Sequence, residues 1–486
     1  MSSSTSMRAV LPLALALAIA PAATAQRPVT TAAPAAAATD INIAFERYTL
    51  PNGLTVILAP DASTPQVAVD VWYHVGSKNE VPGRTGFAHL FEHVMFTGSG
   101  HVPYGLHDRL TEGVGGNNNG STSNDRTNYY QTVPSNYLET MFWLEADRMG
   151  FLLETLDTVK FVAQRDVVQN ERRQGVDNQP YGRAFEIMAS AMYAPSHPYS
   201  WPVIGYMTDL QAASLEDVRA FFRTYYAPTN ATIAIVGDFQ PAEARRLVAK
   251  YFGDLPRGPA ITRPAVAPPS LTGEQRLVYE DRVQVPRLYL RWPTVGTTHD
   301  DTYALTFLGE VLTASRTARL TKALVYDAQS AASVSAGQGS RESVGEFAIT
   351  ITPRPGNTLT SLEAETDSVI ERLKREGPTE EEMAKARAGI EFDFVSSLES
   401  NLGKAEMLLS GQVFHGDPGR FRTDYARYRA VTAADVHRVA RTYLGGNRVV
   451  LSVVPQGQAE QAAKPDKSMK VTVSPDGGRY ILGSDR

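Results

Sequence analysis

The chain repeats itself, and that doubling limits its possible folds more than any other feature. Ser214 to Tyr226 (SLEDVRAFFRTYY) resembles Thr432 to Leu444 (TAADVHRVARTYL). Asp217, Val218, Arg223, Thr224 and Tyr225 are matched by Asp435, Val436, Arg441, Thr442 and Tyr443, all at one constant offset of 218. Each copy is expected to form a helix opened by a Ser or Thr cap. An apolar strand follows each, Ala231 to Val236 in one copy and Val449 to Val454 in the other. The same offset carries Gln66-Val67 onto Gln284-Val285, each opening another strand-like run. Self-similarity at a fixed spacing means that whatever architecture one half adopts, the other should share.

The boundary between the halves is visible in composition. Leu255 to Ser270 holds five prolines, which makes an extended, semi-rigid connector. The expected organisation is therefore a first domain over 41–254, a linker over 255–270 and a second domain over 271–486. In the first, Leu54 to Ala59 and Val67 to Val75 are expected to be strands and Gly86 to Thr97 a helix. In the second, Thr379 to Gln412 should be mainly helical. Strand runs followed by helix runs favour an α+β fold, each half an antiparallel-rich sheet with helices packed on it.

Residues 1–25 form a different kind of segment. Arg8 precedes a short apolar run, Ala9 to Ala20, and small residues end at Ala23-Thr24-Ala25. That is the pattern of a cleaved signal peptide, and the run is too short to span a membrane. Residues 26–40 are rich in Ala, Pro and Thr and are expected to be a flexible lead-in. The mature chain is thus expected to be exported, to the periplasm or beyond, with no membrane span. A net charge of −5 provides no general basic field for nucleic acid. Without cysteine, disulfide, thiolate-metal and cysteine-nucleophile chemistry are excluded, so any metal must be held by His, Asp or Glu.

Gly86 to Phe96 (GFAHLFEHVMF) carries the chemistry. His89 and His93 are four apart and share one helix face, with Glu92 at its edge. Two such imidazoles can bind one zinc ion, and a neighbouring carboxylate can accept a proton from water. The alternative is a pair of structural histidines on an otherwise apolar helix. Two imidazoles and a carboxylate in a buried helix nevertheless need partners. A catalytic zinc usually has three protein ligands. Glu171, within Phe161 to Gln174, is the best third candidate because it falls near the apolar face of Val162, Val167 and Val168. Its acidic neighbours, and His101, His107 and His197, stay open as rivals on spacing alone.

These residues resemble the pitrilysin-type zinc peptidases, the inverted-motif group with His-x-x-Glu-His that includes insulin-degrading enzyme and the mitochondrial processing peptidase. The resemblance runs from Leu50-Pro-Asn-Gly-Leu54 to the Val449 strand. It includes His89-Leu-Phe-Glu-His93, Asn170-Glu-Arg-Arg173, His197-Pro-Tyr199 and Tyr226-Ala-Pro-Thr-Asn-Ala231. It implies that His89, His93 and Glu171 ligate one Zn2+ per chain and that Glu92 is the general base. It further implies that Gly113 to Thr122 leads into an edge strand that pairs with extended peptide substrates. Asn119 and Gly120 would then lie beside the scissile bond.

Two departures qualify the resemblance. Gln164 stands where many members have a glutamate, seven residues before the third ligand. Val325 and Ala332 fall where active members receive an Arg and a Tyr that hold the scissile carbonyl; Arg316, Arg319 and Tyr326 are nearby. At offset 218 the second half replaces His89, His93 and Glu171 by Phe307, Val311 and Gly389, keeping only Glu310. The expectation is a zinc endopeptidase acting by glutamate-assisted attack of water, and serving as the metal-bearing subunit of a heterodimer. A related zinc-less subunit would supply Arg and Tyr. The competing readings are a non-catalytic peptide-binding or assembly subunit and a structural zinc protein.

Overall fold

The computed structural model describes residues 41–269, 271–474 and 479–483. The signal peptide and lead-in expected from the sequence lie outside the described residues. The strands of the first half are β1 (Glu46–Thr49), β2 (Thr55–Pro60), β3 (Gln66–Tyr73), β4 (Asn117–Thr122), β5 (Thr127–Pro134) and β6 (Ala231–Gly237). They form a sheet in the order β1-β2-β6-β3-β5-β4. Those of the second half are β7 (Gln275–Asp281), β8 (Arg287–Val295), β9 (Ala331–Ser340), β10 (Val344–Pro353), β11 (Val449–Pro455), β12 (Met469–Val473) and β13 (Tyr480–Leu482). Their order is β13-β12-β7-β11-β8-β10-β9. In each sheet one central pair is parallel, β2 with β6 and β7 with β11, and the last of these strands in each half pairs antiparallel on its other side, β6 with β3 and β11 with β8; in the second sheet β12 adds a further parallel pair with β7. The fold is α+β, built twice.

The duplication extends to hydrogen-bond register. Asn119 faces Tyr130 across β4 and β5, and their counterparts at the repeat offset, Gly337 and Ala348, face each other across β9 and β10. The repeated helices occupy Leu215–Tyr225 and Ala433–Tyr443. Each opens with a reciprocal cap: Ser214 and Asp217 in one, Thr432 and Asp435 in the other. The second sequence match aligns less well with the elements. Gln66 opens β3, but Gln284 and Val285 precede β8, because Pro286 has no N–H to donate to a ladder. The long helical stretch after Thr379 is two helices, Glu380–Ser397 and Asn401–His415, the second capped by Ser400.

Period-two alternation gives β3 two buried faces. Val67, Val69, Val71 and Tyr73 enter the core made with the first half's own helices. On the opposite face Trp72 meets Phe414 edge-on at 5.8 Å. Phe414 belongs to Asn401–His415, a second-half helix packed on β3 and β6. The exchange is reciprocal. Helix Ala184–Met192 of the first half packs on β11 and β13, placing Ile187, Met188 and Met192 against Leu277, Val449 and Leu451. These two helices are counterparts at the same offset. Each fully buried aliphatic side chain is worth about 1.5–3 kcal/mol, so each sheet depends on a helix from the other half. The sequence divides at the proline linker, but the packing runs across it.

The turns after β4 and β9 are also counterparts, and they meet. The backbone N–H of Glu342 donates to Asp125 at 3.0 Å, and Arg341 donates to Asn124 at 3.1 Å. The Glu342 carboxylate pairs with His74 at 2.7 Å and with Lys78. This clasp holds the tip of the β4–β5 hairpin, whose outer strand is the edge of the first sheet.

Candidate metal centre and active site

The motif helix spans Phe87–Val94, shorter than the sequence suggested, and buries Phe87, Leu90, Phe91 and Val94. Its N-terminus is held by Glu80, whose carboxylate oxygens accept from Gly86 N at 2.9 Å and Ala88 N at 2.8 Å. A buried carboxylate there satisfies two otherwise orphaned N–H groups and faces the positive end of the helix dipole. Burial pushes the Glu80 carboxyl well up, and the backbone donors pull against that rise. Gly86 has φ +85°, and an added Cβ would lie 2.8 Å from the Gly205 Cα. Only glycine permits this approach.

The opposing element is helix Thr158–Arg172, capped by Asp157. Arg172 at its end is buried, forks onto Glu186 at 2.8 and 3.0 Å and donates to the Gly205 carbonyl at 2.7 Å. Because Gly205 abuts Gly86, Arg172 ties the C-terminal turn of one helix to the N-terminus of the other. Glu171 precedes it. Its carboxylate lies 3.2 Å from His93 Nε2 and 3.7 Å from His89 Nε2. The three donor atoms converge within 4.8 Å of one another. The apolar-face placement expected for Glu171 needs correction: its side chain is 44% exposed, and Val167 is 40% exposed. The carboxylate reaches the histidines from a solvent-exposed position.

The donor set fits a zinc ion. Burial, and then the neighbouring His93, depress the His89 pKa to about 4. Burial lowers His93 as well, opposed by the Glu171 carboxylate. Both imidazoles are therefore held neutral, the form that ligates a metal. The rivals have other neighbours. His101 Nδ1 is 2.6 Å from Asp147, and His197 Nε2 is 2.8 Å from the Ala267 carbonyl. His107 is buried 3.7 Å from Glu145. Among the described residues only His89, His93 and Glu171 form such a group.

Glu92 lies beside them. Burial raises its pKa, against a hydrogen bond from Thr122 Oγ1 at 2.6 Å. Strand β4 runs over it: a Cβ at Gly120 would come within 3.2 Å of both Glu92 Cγ and the Phe96 ring. Asn119 is exposed, and its Oδ1 accepts from Gly120 N at 2.8 Å. As the last strand of its sheet, β4 can take another strand on its outer edge.

Sequence patterning missed Glu80, Thr122 and Arg172. Arg172 stood within the Asn170 to Arg173 run and Thr122 at the end of the Gly113 segment, whereas nothing local marked Glu80 as a cap. Of the residues near the expected clamp positions, Arg319 is committed to Glu382 at 2.7 and 2.8 Å, while Arg316 and Tyr326 are exposed. In the second half, Phe307 and Val311 are core residues.

Two histidines one helical turn apart, a carboxylate from a second helix and a further glutamate alongside define a centre of the zinc-peptidase kind. Comparison with known proteins gives the family. Residues 55–200 match "Insulinase (Peptidase family M16)" and residues 212–390 match "Peptidase M16 inactive domain". The zinc protease PqqE of Helicobacter pylori is 31% identical over 403 residues, covering 82% of this chain and 90% of that protein. A probable mitochondrial-processing peptidase subunit beta of Arabidopsis thaliana is 26% identical over 274 residues, or 54% of this chain and 49% of its own. The crystal structure of a protease from Helicobacter pylori superposes with TM-score 0.80 at 29% identity, covering 85% of this chain and 99% of that one. The chain belongs to peptidase family M16.

Proposed function

We propose that this chain is an exported zinc endopeptidase that cleaves extended peptides or unfolded segments, with one zinc per chain held by His89, His93 and Glu171. The observation that carries the reading is the convergence of those three donors beside Glu92, directly beneath an open edge strand. When bound, zinc supplies Lewis-acid polarisation of the substrate carbonyl and acidifies water. The chain's own residues do the rest. Strand β4 orients the peptide by backbone pairing, with Asn119 and Gly120 flanking the scissile bond. Glu92 accepts the proton of the attacking water and returns it to the departing amine as the C–N bond breaks.

Val325 and Ala332 have no side-chain donor for the carbonyl oxygen, and Arg319 is engaged with Glu382. That supports a heterodimer in which a related, zinc-less subunit lends an Arg and a Tyr. Losing one oxyanion donor typically costs about 3–4 kcal/mol of barrier, so the chain alone should be slow. The signal sequence supports a periplasmic location. The non-catalytic alternative leaves Glu92 without a task. Cleavage of a quenched, unstructured peptide by zinc-loaded protein, with and without Glu92→Gln, separates the two. Loss of rate by about 10²–10⁴-fold with the fold and zinc retained is expected; equal rates would sink the peptidase reading.

A further inference from the structure

Thr122 closes strand β4, and its hydroxyl donates to Glu92 Oε2 at 2.6 Å. The direction of that hydrogen bond is set by its surroundings. The other hydroxyl near it, Thr127 Oγ1 at 3.4 Å, gives its own proton to the Val75 carbonyl at 2.9 Å. That leaves the Thr127 oxygen only as a distant acceptor, and an ionised carboxylate at 2.6 Å, which can only accept, takes the single proton of Thr122. The strand that carries Thr122 is fixed from its other side. Arg126 donates to the Ser121 carbonyl at 2.9 Å and to Asn128 Oδ1 at 3.0 Å, and Asn128 donates in turn to Glu406 on the exchanged helix at 2.9 Å. Gly120 on the same strand leaves no room for a side chain over Glu92, since an added Cβ would come within 3.2 Å of its Cγ. The carboxylate is therefore tethered to the edge strand as well as carried by its own helix.

We propose that Thr122 is a positioning residue for the general base. Its hydroxyl anchors Oε2 of Glu92, leaving Oε1 for the water proton, and it couples the alignment of the base to the strand on which the peptide docks. This rests on the reading of Glu92 as the base. Thr122→Val keeps the shape and removes the donor, whereas Thr122→Ser keeps the donor.

In the zinc-loaded full chain, Thr122→Val should lower kcat about 10- to 100-fold with KM within about twofold, and Thr122→Ser should return to within about threefold of wild type. Crystal structures of the same zinc-loaded proteins should show the Glu92 carboxylate displaced by more than about 0.5 Å in Thr122→Val and restored in Thr122→Ser. Raised KM with unchanged kcat, a serine variant no better than the valine one, or an unmoved carboxylate in Thr122→Val would overturn the assignment alone. A wild-type rate no higher than that of Glu92→Gln would overturn the peptidase reading and this assignment with it.

Discussion

In the first half one helix turn presents His89, Glu92 and His93 to Glu171, while in the second copy the same turn presents Phe307, Glu310 and Val311 to Gly389. A Cβ at Gly389 would lie 3.1 Å from Glu310 Oε2, so the two helices still approach each other at that point. What differs is the cost of the side chains. Phe307 and Val311 fill the second core. Their counterparts are imidazoles that remain partly exposed and must stay neutral in an apolar setting. The second half shows what this helix looks like when only stability is asked of it. The first half carries polar groups that burial alone does not justify.

That contrast can be reversed by substitution. His89→Phe with His93→Val gives the first half the residues of the second. The thermal shift on adding zinc should vanish, and the metal-free protein should melt about 2–5 °C higher, by differential scanning fluorimetry. A lower melting temperature would show that the histidines contribute to the metal-free core.

The clasp joining the two hairpin turns gives a smaller, pH-dependent effect. Burial opposes ionisation of Glu342, but its hydrogen bonds and charge pairing with His74 and Lys78 prevail and hold its pKa at about 2, below the usual 4.5. Its contribution is therefore complete above about pH 4.5 and is lost as the pH falls toward 2. Glu342→Gln should lower stability by on the order of 1–3 kcal/mol at pH 7, with the deficit closing on acidification. Denaturant titrations at pH 7 and pH 3 would measure this; a deficit that stays constant would contradict it.

The smallest effects test the repeat itself. Ser214→Ala and Thr432→Ala each remove a cap whose hydroxyl accepts from the third helical N–H at 3.2 Å. Each should cost about 1 kcal/mol by denaturant titration, and the two costs should be similar. Unequal costs would show that the halves, alike in geometry, differ in how firmly their helices are packed.

Much of this was legible because it is local. The caps, the central strands and the i, i+4 histidines are short-range patterns, and the internal repeat needs only self-comparison. Glu171 was ambiguous on spacing, since it lies far along the chain from the motif helix it faces and is solvent-exposed rather than on an apolar face. The helix exchange was hidden for a related reason. Periodicity says that Ala184–Met192 and Asn401–His415 bury a face, but not that each buries it on the other half's sheet. Glu80 and Arg172 look like surface charges in sequence. Burial and pairing with groups distant in the chain give them their roles.

On the proposed reading, the duplicated frame holds one zinc, in the first half alone. The most direct measurement is zinc content per chain after loading and desalting, for the wild type, His93→Ala and Glu310→Ala. One zinc in the wild type and Glu310→Ala, and none in His93→Ala, is the predicted result. A second zinc in the wild type, or a zinc that survives His93→Ala, would contradict it.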